Sequence, residues 1–209
     1  MRVLIADDHA ILRRGLIEIL TRQLKDVVCG EAENAEQILA QVQDHPWDLV
    51  ILDLSMPGRS GIDVLADLKR ARPKLPVLVL SMHPEDQYGK RMLRAGAAGY
   101  MNKDSAPEEL IKAIHKVLAG GRYVSSALAE VLAVDLGGQT DQPPHELLSD
   151  RELEVLRLIG SGKAISQIAE LLHLSVTTVS TYRARILEKM HLTTTAELMN
   201  YAVRNRLAD

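Results

Sequence analysis

The chain has 209 residues, 46% hydrophobic and 25% charged, with a formal net charge of −3: enough for one large domain or two small ones with real cores, and without the overall basic surplus that marks many nucleic-acid binders. Its single cysteine, Cys29, excludes an intramolecular disulfide and fits a reducing compartment. No apolar run approaches the roughly 20 residues of a spanning helix, and the opening Met1-Arg2-Val3-Leu4-Ile5-Ala6-Asp7-Asp8 turns acidic too soon for a signal peptide, so a cytoplasmic protein with no membrane association is expected.

Residues 2–6 read as a buried strand closed by Asp7 and Asp8, and His9 to Leu24 as a helix carrying Leu12, Leu16, Ile19 and Leu20 at helical spacing. A second strand is expected over Val27–Ala32 and a second helix over Ala35–Val42, capped by Asn34. The third strand, 48–53, is a continuous apolar run that ends on Asp53 and enters the loop Leu54-Ser55-Met56-Pro57-Gly58-Arg59-Ser60-Gly61. Ile62, Leu65 and Leu68 mark a third helix stopped before Pro73, and Pro76–Ser81 a fourth strand. Glu85–Ala95 gives a helix ending at Gly96, Gly99–Lys103 a fifth strand, and Pro107 starts a helix ended by Gly120-Gly121. Five strands alternating with five helices imply an α/β, doubly wound domain over 1–121 with a five-stranded parallel sheet. Residues 122–146 are expected to be a linker with a possible helix at 125–134. Its Gly/Pro-bearing stretch 135–146 would span about 20 Å as a flexible coil.

From 147 to 209 the pattern is helical only. Ser149-Asp150-Arg151-Glu152 is a capping box that opens a helix with Leu153, Val155, Leu156 and Ile159 inward. Ile165–Leu172, the turn His173-Leu174, and Val176–Met190 behind Ser175 describe a helix-turn-helix. Thr193 or Thr194 caps a fourth helix reaching about Asn205. A second, all-α four-helix domain follows.

In a parallel sheet, reactive groups gather beyond the carboxyl ends of the strands. Asp7 and Asp8, Asp53, Ser81 and Lys103 each stand at such an end. Three converging carboxylates repel unless a cation intervenes, and their hard oxygens suit Mg²⁺. Asp53 could then act as a nucleophile toward a phosphoryl donor, with Lys103 and the Ser81 hydroxyl meeting the phosphoryl oxygens.

These five residues resemble the acidic pair, phosphoacceptor, hydroxyl and lysine of the receiver domain of two-component response regulators. The resemblance implies a flavodoxin-like strand order, and Mg²⁺ held by Asp7, Asp8, Asp53 and the backbone carbonyl of Ser55. It also implies a switch in which Tyr100 moves inward when Ser81 engages the phosphoryl group. Asp104 follows the lysine where many receivers carry a proline, often cis, so a trans bond is expected here.

Residues 148–209 hold 8 Lys+Arg against 7 Asp+Glu, so any DNA-binding charge must be local to one helix face. With Val179, Ile186 and Met190 on the core side of the third helix of this domain, Thr177, Thr181, Ala184, Arg185 and Glu188 point outward. Candidate DNA contacts are Thr177, Thr178, Ser180, Thr181, Arg183, Ala184, Arg185 and Lys189, with Arg183 reaching phosphate by snorkelling. The runs Leu148-Ser149-Asp150-Arg151-Glu152 and Ile168 to Arg183 resemble the LuxR-type DNA-binding domain. With Asp7-Asp8-His9 and Arg14-Gly15 they place the chain near the NarL/FixJ class, and Ser180-Thr181-Tyr182 near its GacA/BvgA-like subgroup. The seven histidines show no i,i+3 or i,i+4 pairing and suggest no metal role.

The expected function is that of a response regulator, phosphorylated on Asp53 by a sensor histidine kinase in an Mg²⁺-dependent reaction. It would then form a homodimer and bind double-stranded DNA to regulate transcription. Its chemistry would be limited to self-phosphorylation and autodephosphorylation. An enzyme acting on external phosphoesters is disfavoured, because nothing resembles a substrate cap or second general acid and such an enzyme would not need 147–209. A regulator whose output is protein contact is the third reading.

Overall fold

The computed structural model of the chain describes residues 1–56, 59–105, 107–137 and 143–208; Pro57 and Gly58 of the third loop, and 138–142 of the expected linker, lie outside these. The chain divides into two compact units, Met1–Gln139 and Thr140–Asp209.

In the first unit, strands β1 (Arg2–Ala6), β2 (Val28–Ala32), β3 (Leu49–Leu52), β4 (Val77–Ser81) and β5 (Gly99–Asn102) form one sheet in the order β2-β1-β3-β4-β5. Every pairing is parallel, as the doubly wound, flavodoxin-like reading requires. Helices α1 (Ala10–Gln23), α2 (Ala35–Asp44), α3 (Gly61–Ala71), α4 (Glu85–Arg94) and α5 (Pro107–Leu118) alternate with the strands.

The unbroken apolar runs are explained by burial on both faces. Leu16 and Leu20 of α1 and Leu110, Ile114 and Val117 of α5 pack with Val3, Ile5, Leu49, Ile51, Leu78, Leu80 and Met101 in one core. Leu4, Val50, Leu52 and Val79 alternate with these along the strands and are as fully buried on the other face. Asn34 caps α2 by accepting from Gln37 N at 3.0 Å. Gly96, at φ +101°, turns the chain out of α4 where L side chains are strained.

A sixth helix, α6 (Ser126–Gly137), fills the place of the possible helix at 125–134, but it is packed on α4 of the first unit. Its Leu128 is fully buried and sits over Gly89 of α4, where a Cβ would come within 2.6 Å of Leu128 Cδ2. The Ser125 hydroxyl donates to Glu85 Oε2, and the Tyr123 hydroxyl donates to Glu109 Oε2 at 3.1 Å. These ties explain why the first compact unit continues past residue 121.

In the second unit a 3₁₀ turn (Pro144–Leu147) leads to α7 (Asp150–Gly160), α8 (Ile165–Leu171), α9 (Val176–Lys189) and α10 (Thr195–Arg204). The capping box of α7 is present: Ser149 N donates to Glu152 Oε2 at 2.7 Å, and Glu152 N donates to Ser149 Oγ at 3.3 Å. Leu153, Val155, Leu156 and Ile159 are buried, together with Val179, Ile186 and Met190 of α9. His173, at φ +53°, closes α8 and sets up the turn into α9. Thr194 caps α10 by accepting from Glu197 N at 3.2 Å.

Candidate functional site

Strand register builds the first site. Ala6 pairs with Leu52, and Asp53 N donates to the Ala6 carbonyl at 2.8 Å, so Asp7 and Asp53 leave neighbouring strands together. Ser81 pairs with Asn102, and Lys103 N donates to the Ser81 carbonyl at 2.9 Å. This brings the Lys103 ammonium between the two carboxylates, 2.7 Å from Asp7 Oδ2 and 2.8 Å from Asp53 Oδ2. All three side chains are buried, with exposures of 7%, 3% and 1% for Lys103, Asp7 and Asp53. Among the described residues no peptide bond is cis, so Lys103–Asp104 is trans as expected.

Burial raises the Asp53 carboxyl above its ordinary pKa, and the Asp7 charge adds to the rise. Lys103 and the Ser55 N–H pull the other way without cancelling it. Burial would lower the Lys103 pKa, but its hydrogen bonds to and attraction by Asp53 and Asp7 outweigh that and raise it.

Asp8 stands at the mouth, 28% exposed. The exposed His9 ring turns back on the pair, its Nδ1 lying 2.8 Å from Asp8 Oδ1 and 3.2 Å from Asp7 Oδ1. One ligand atom from each of Asp7, Asp8, His9 and Asp53 lies within 4.8 Å of the others, so His9 joins the cluster although the sequence suggested no metal role for any histidine. Three carboxylates face one buried ammonium, leaving an excess of negative charge. Asp53 Oδ2 is buried against the Lys103 ammonium at 2.8 Å, a single positive charge that it shares with Asp7. An oxygen-rich, undercompensated set of this kind fits a divalent hard cation such as Mg²⁺.

Ser55, Ser81 and Tyr100 converge on a residue the sequence reading passed over, His83. Ser55 N donates to Asp53 Oδ1 at 3.1 Å, and its hydroxyl pairs with His83 Nε2 at 3.3 Å. The fully buried Ser81 accepts from His83 N at 3.2 Å. Tyr100 is inward and fully buried, its hydroxyl donating to the His83 carbonyl at 2.9 Å. The His83 ring stacks on Tyr88, centroids 4.5 Å apart.

The second site is the outer face of α9. Thr177, Ser180, Thr181, Ala184 and Arg185 are exposed there, as is Glu188. Thr181 donates to the Thr177 carbonyl at 3.0 Å, which leaves its hydroxyl to act as an acceptor. Thr178 is half-buried and shares the cap, its Oγ1 lying 2.8 Å from Ser175 Oγ. The two flanking cations are engaged inside the unit. Arg183 Nε donates to Thr195 Oγ1 at 2.7 Å, tying α9 to α10 instead of snorkelling outward. Lys189 Nζ donates to the buried Glu152 at 2.7 Å, tying α9 to the cap of α7.

Residues 3–115 match the response regulator receiver domain, and residues 146–202 match the luxR family of bacterial regulatory proteins. Over its full length the chain is 37% identical to the response regulator GacA of Pseudomonas aeruginosa, covering 98% of that protein. It is similar to RcsB of Salmonella enterica serovar Typhimurium bound to promoter rprA in the presence of the phosphomimetic BeF3−. There the TM-score is 0.63 at 30% identity, over 96% of this chain and 97% of that one. A structure of two RcsB dimers bound to two parallel DNAs gives a TM-score of 0.60 at 29% identity, over 97% and 98%. Among the described residues no helix is long and apolar enough to cross a membrane.

Proposed function

This chain belongs to the two-component response regulators of the NarL/FixJ class, which join a receiver domain to a LuxR-type helix-turn-helix domain, and we propose that Asp53 accepts a phosphoryl group from the phosphohistidine of a sensor histidine kinase. The observation that carries this is the buried carboxylate pair, Asp7 and Asp53, bridged by Lys103 at the carboxyl end of the sheet. Asp7, Asp8, Asp53 and the Ser55 carbonyl would hold Mg²⁺, which supplies countercharge to the phosphoryl oxygens when bound. An Asp53 carboxylate oxygen attacks phosphorus, the new P–O bond replaces the donor's P–N bond, and the donor imidazole leaves with the electron pair. Its buried setting strips the Asp53 nucleophile of water, and the Lys103 ammonium offsets the charge that burial and Asp7 place against it. The Ser81 hydroxyl donates to a phosphoryl oxygen, which draws on the loop through His83, and Tyr100 in its inward position fills the space behind. The reaction stays within the chain: self-phosphorylation, and hydrolysis of its own phosphoaspartate.

The output is dimerisation and binding to double-stranded DNA through α9, with Thr177, Ser180, Thr181, Ala184 and Arg185 on the groove side. The RcsB dimers bound to DNA support this by similarity. The test is intact mass after incubation with phosphoramidate and Mg²⁺. One phosphoryl mass is expected for the parent, and none for Asp53→Asn or in excess EDTA. Phosphoryl uptake by Asp53→Asn would overturn the assignment, and uptake in EDTA would overturn the metal requirement.

A further inference from the structure

Arg13 is a buried cation in a helix whose other buried positions are apolar. Arg13, Leu16 and Leu20 are the buried residues of α1, and only 6% of the Arg13 side chain is exposed. A guanidinium in that position needs partners on every side, and it has them. Nε donates to Glu31 Oε2 on the edge strand β2 at 2.9 Å, and Nη2 to Glu33 Oε1 in the following loop at 2.5 Å. Nη1 donates to the backbone carbonyl of Asp7 at 2.7 Å, a fully buried bond. One planar group therefore joins α1, the end of β2 and the residue whose carboxylate sits 2.7 Å from Lys103.

The carbonyl it grips is in the peptide between Asp7 and Asp8, so it fixes the turn from which both acidic side chains project. Asp7 N is already held by the Ala32 carbonyl at 3.1 Å. With Nη1 on its carbonyl, the Asp7 backbone is restrained on both sides of its Cα.

We propose that Arg13 is a positioning residue for the cation site: it sets the Asp7–Asp8 turn and thereby the site's affinity for Mg²⁺, without touching the ion. Groups that orient metal ligands from behind typically change affinity by about 10–100-fold when removed. The two glutamates serve the guanidinium, holding its plane so that Nη1 stays on the Asp7 carbonyl. This rests on the proposed Mg²⁺ role of the three carboxylates.

The test is calorimetric titration of the unphosphorylated full chain with MgCl₂ at low temperature, with circular dichroism reporting the folded fraction. Arg13→Met keeps the apolar stem and removes all three bonds; at least a tenfold weaker Mg²⁺ affinity is expected in folded protein. Arg13→Lys restores one donor and should recover part of the loss. A merely structural role would lower the melting temperature and leave the affinity of the folded fraction within twofold of the parent, which would overturn the proposal. If Arg13→Met does not fold, the double variant Glu31→Gln, Glu33→Gln decides, since both carboxylates lie toward solvent. A threefold or larger loss is expected there, and unchanged affinity overturns the proposal. A parent chain that binds no Mg²⁺ removes the metal reading itself, and the role of Arg13 with it.

Discussion

Lys103 is the residue on which the receiver's charge balance turns. Its ammonium is buried between Asp7 and Asp53, 2.7 and 2.8 Å away, and removing one partner from a buried ionic group costs far more than the pair contributes. Lys103→Met is expected to lower stability at neutral pH by about 3–5 kcal/mol, measured by urea unfolding in EDTA. The sign of its pH dependence follows from Asp53. That carboxyl already has a raised pKa in the folded chain, so the native state holds its proton more tightly than the unfolded state, and falling pH favours folding. Without Lys103 to pull it down the value rises further. The deficit should narrow as pH falls through that raised value toward the ordinary 3.8. Mg²⁺ should stabilise the variant more than the parent, because it replaces the missing countercharge. A deficit that stayed constant from neutral to acid pH would mean that Lys103 acts through packing alone.

At the level of elements, α9 divides its cations between two tasks. Arg185 is exposed on the outer face, whereas Lys189 reaches back to Glu152 in the cap of α7. Arg185→Ala should change stability by no more than about 0.5 kcal/mol and reduce the salt slope of DNA binding by about 1. Lys189→Ala should instead destabilise the second unit by about 1–3 kcal/mol, read by chemical unfolding. Burial alone would raise the Glu152 pKa, but its bonds to Lys189 and Ser149 lower it. That contribution is present above the usual 4.5 and is lost as pH falls through the lower folded value, so the Lys189→Ala deficit should close in acid. The same helix shows what the sequence could and could not disclose. Val179, Ile186 and Met190 repeat at helical spacing, and Ser175 stands where a cap must, so the element and its buried side were readable. The partner of Lys189 lies 37 residues away on another helix, and periodicity assigns a face, not a contact across the core. Arg13 escaped notice for the same reason, although a charged residue in register with Leu16 and Leu20 was a visible signal. Likewise, α6 was legible as a helix, but its seat on α4 depends on Gly89 leaving room for Leu128.

Over the whole molecule, the two units divide the work: a carboxylate site at the carboxyl end of a parallel sheet, and a helix-turn-helix with a sparsely charged outer face. Phosphate contacts supply much of DNA affinity through counterion release, and Arg185 with exposed Glu188 beside it offers little per chain. Two copies on paired half-sites would double the contacts, and dimerisation is the step that the proposed Asp53 chemistry would control. The direct measurement is a titration of a duplex, recovered from random-sequence DNA by selection with the phosphorylated chain. It is carried out with the full chain before and after mass-verified phosphorylation, and with Asp53→Asn treated identically. At least tenfold tighter binding is expected for the phosphorylated parent, with two chains per duplex and no response from the variant. Equal affinity of the phosphorylated and unphosphorylated parent would contradict the coupling of Asp53 to DNA.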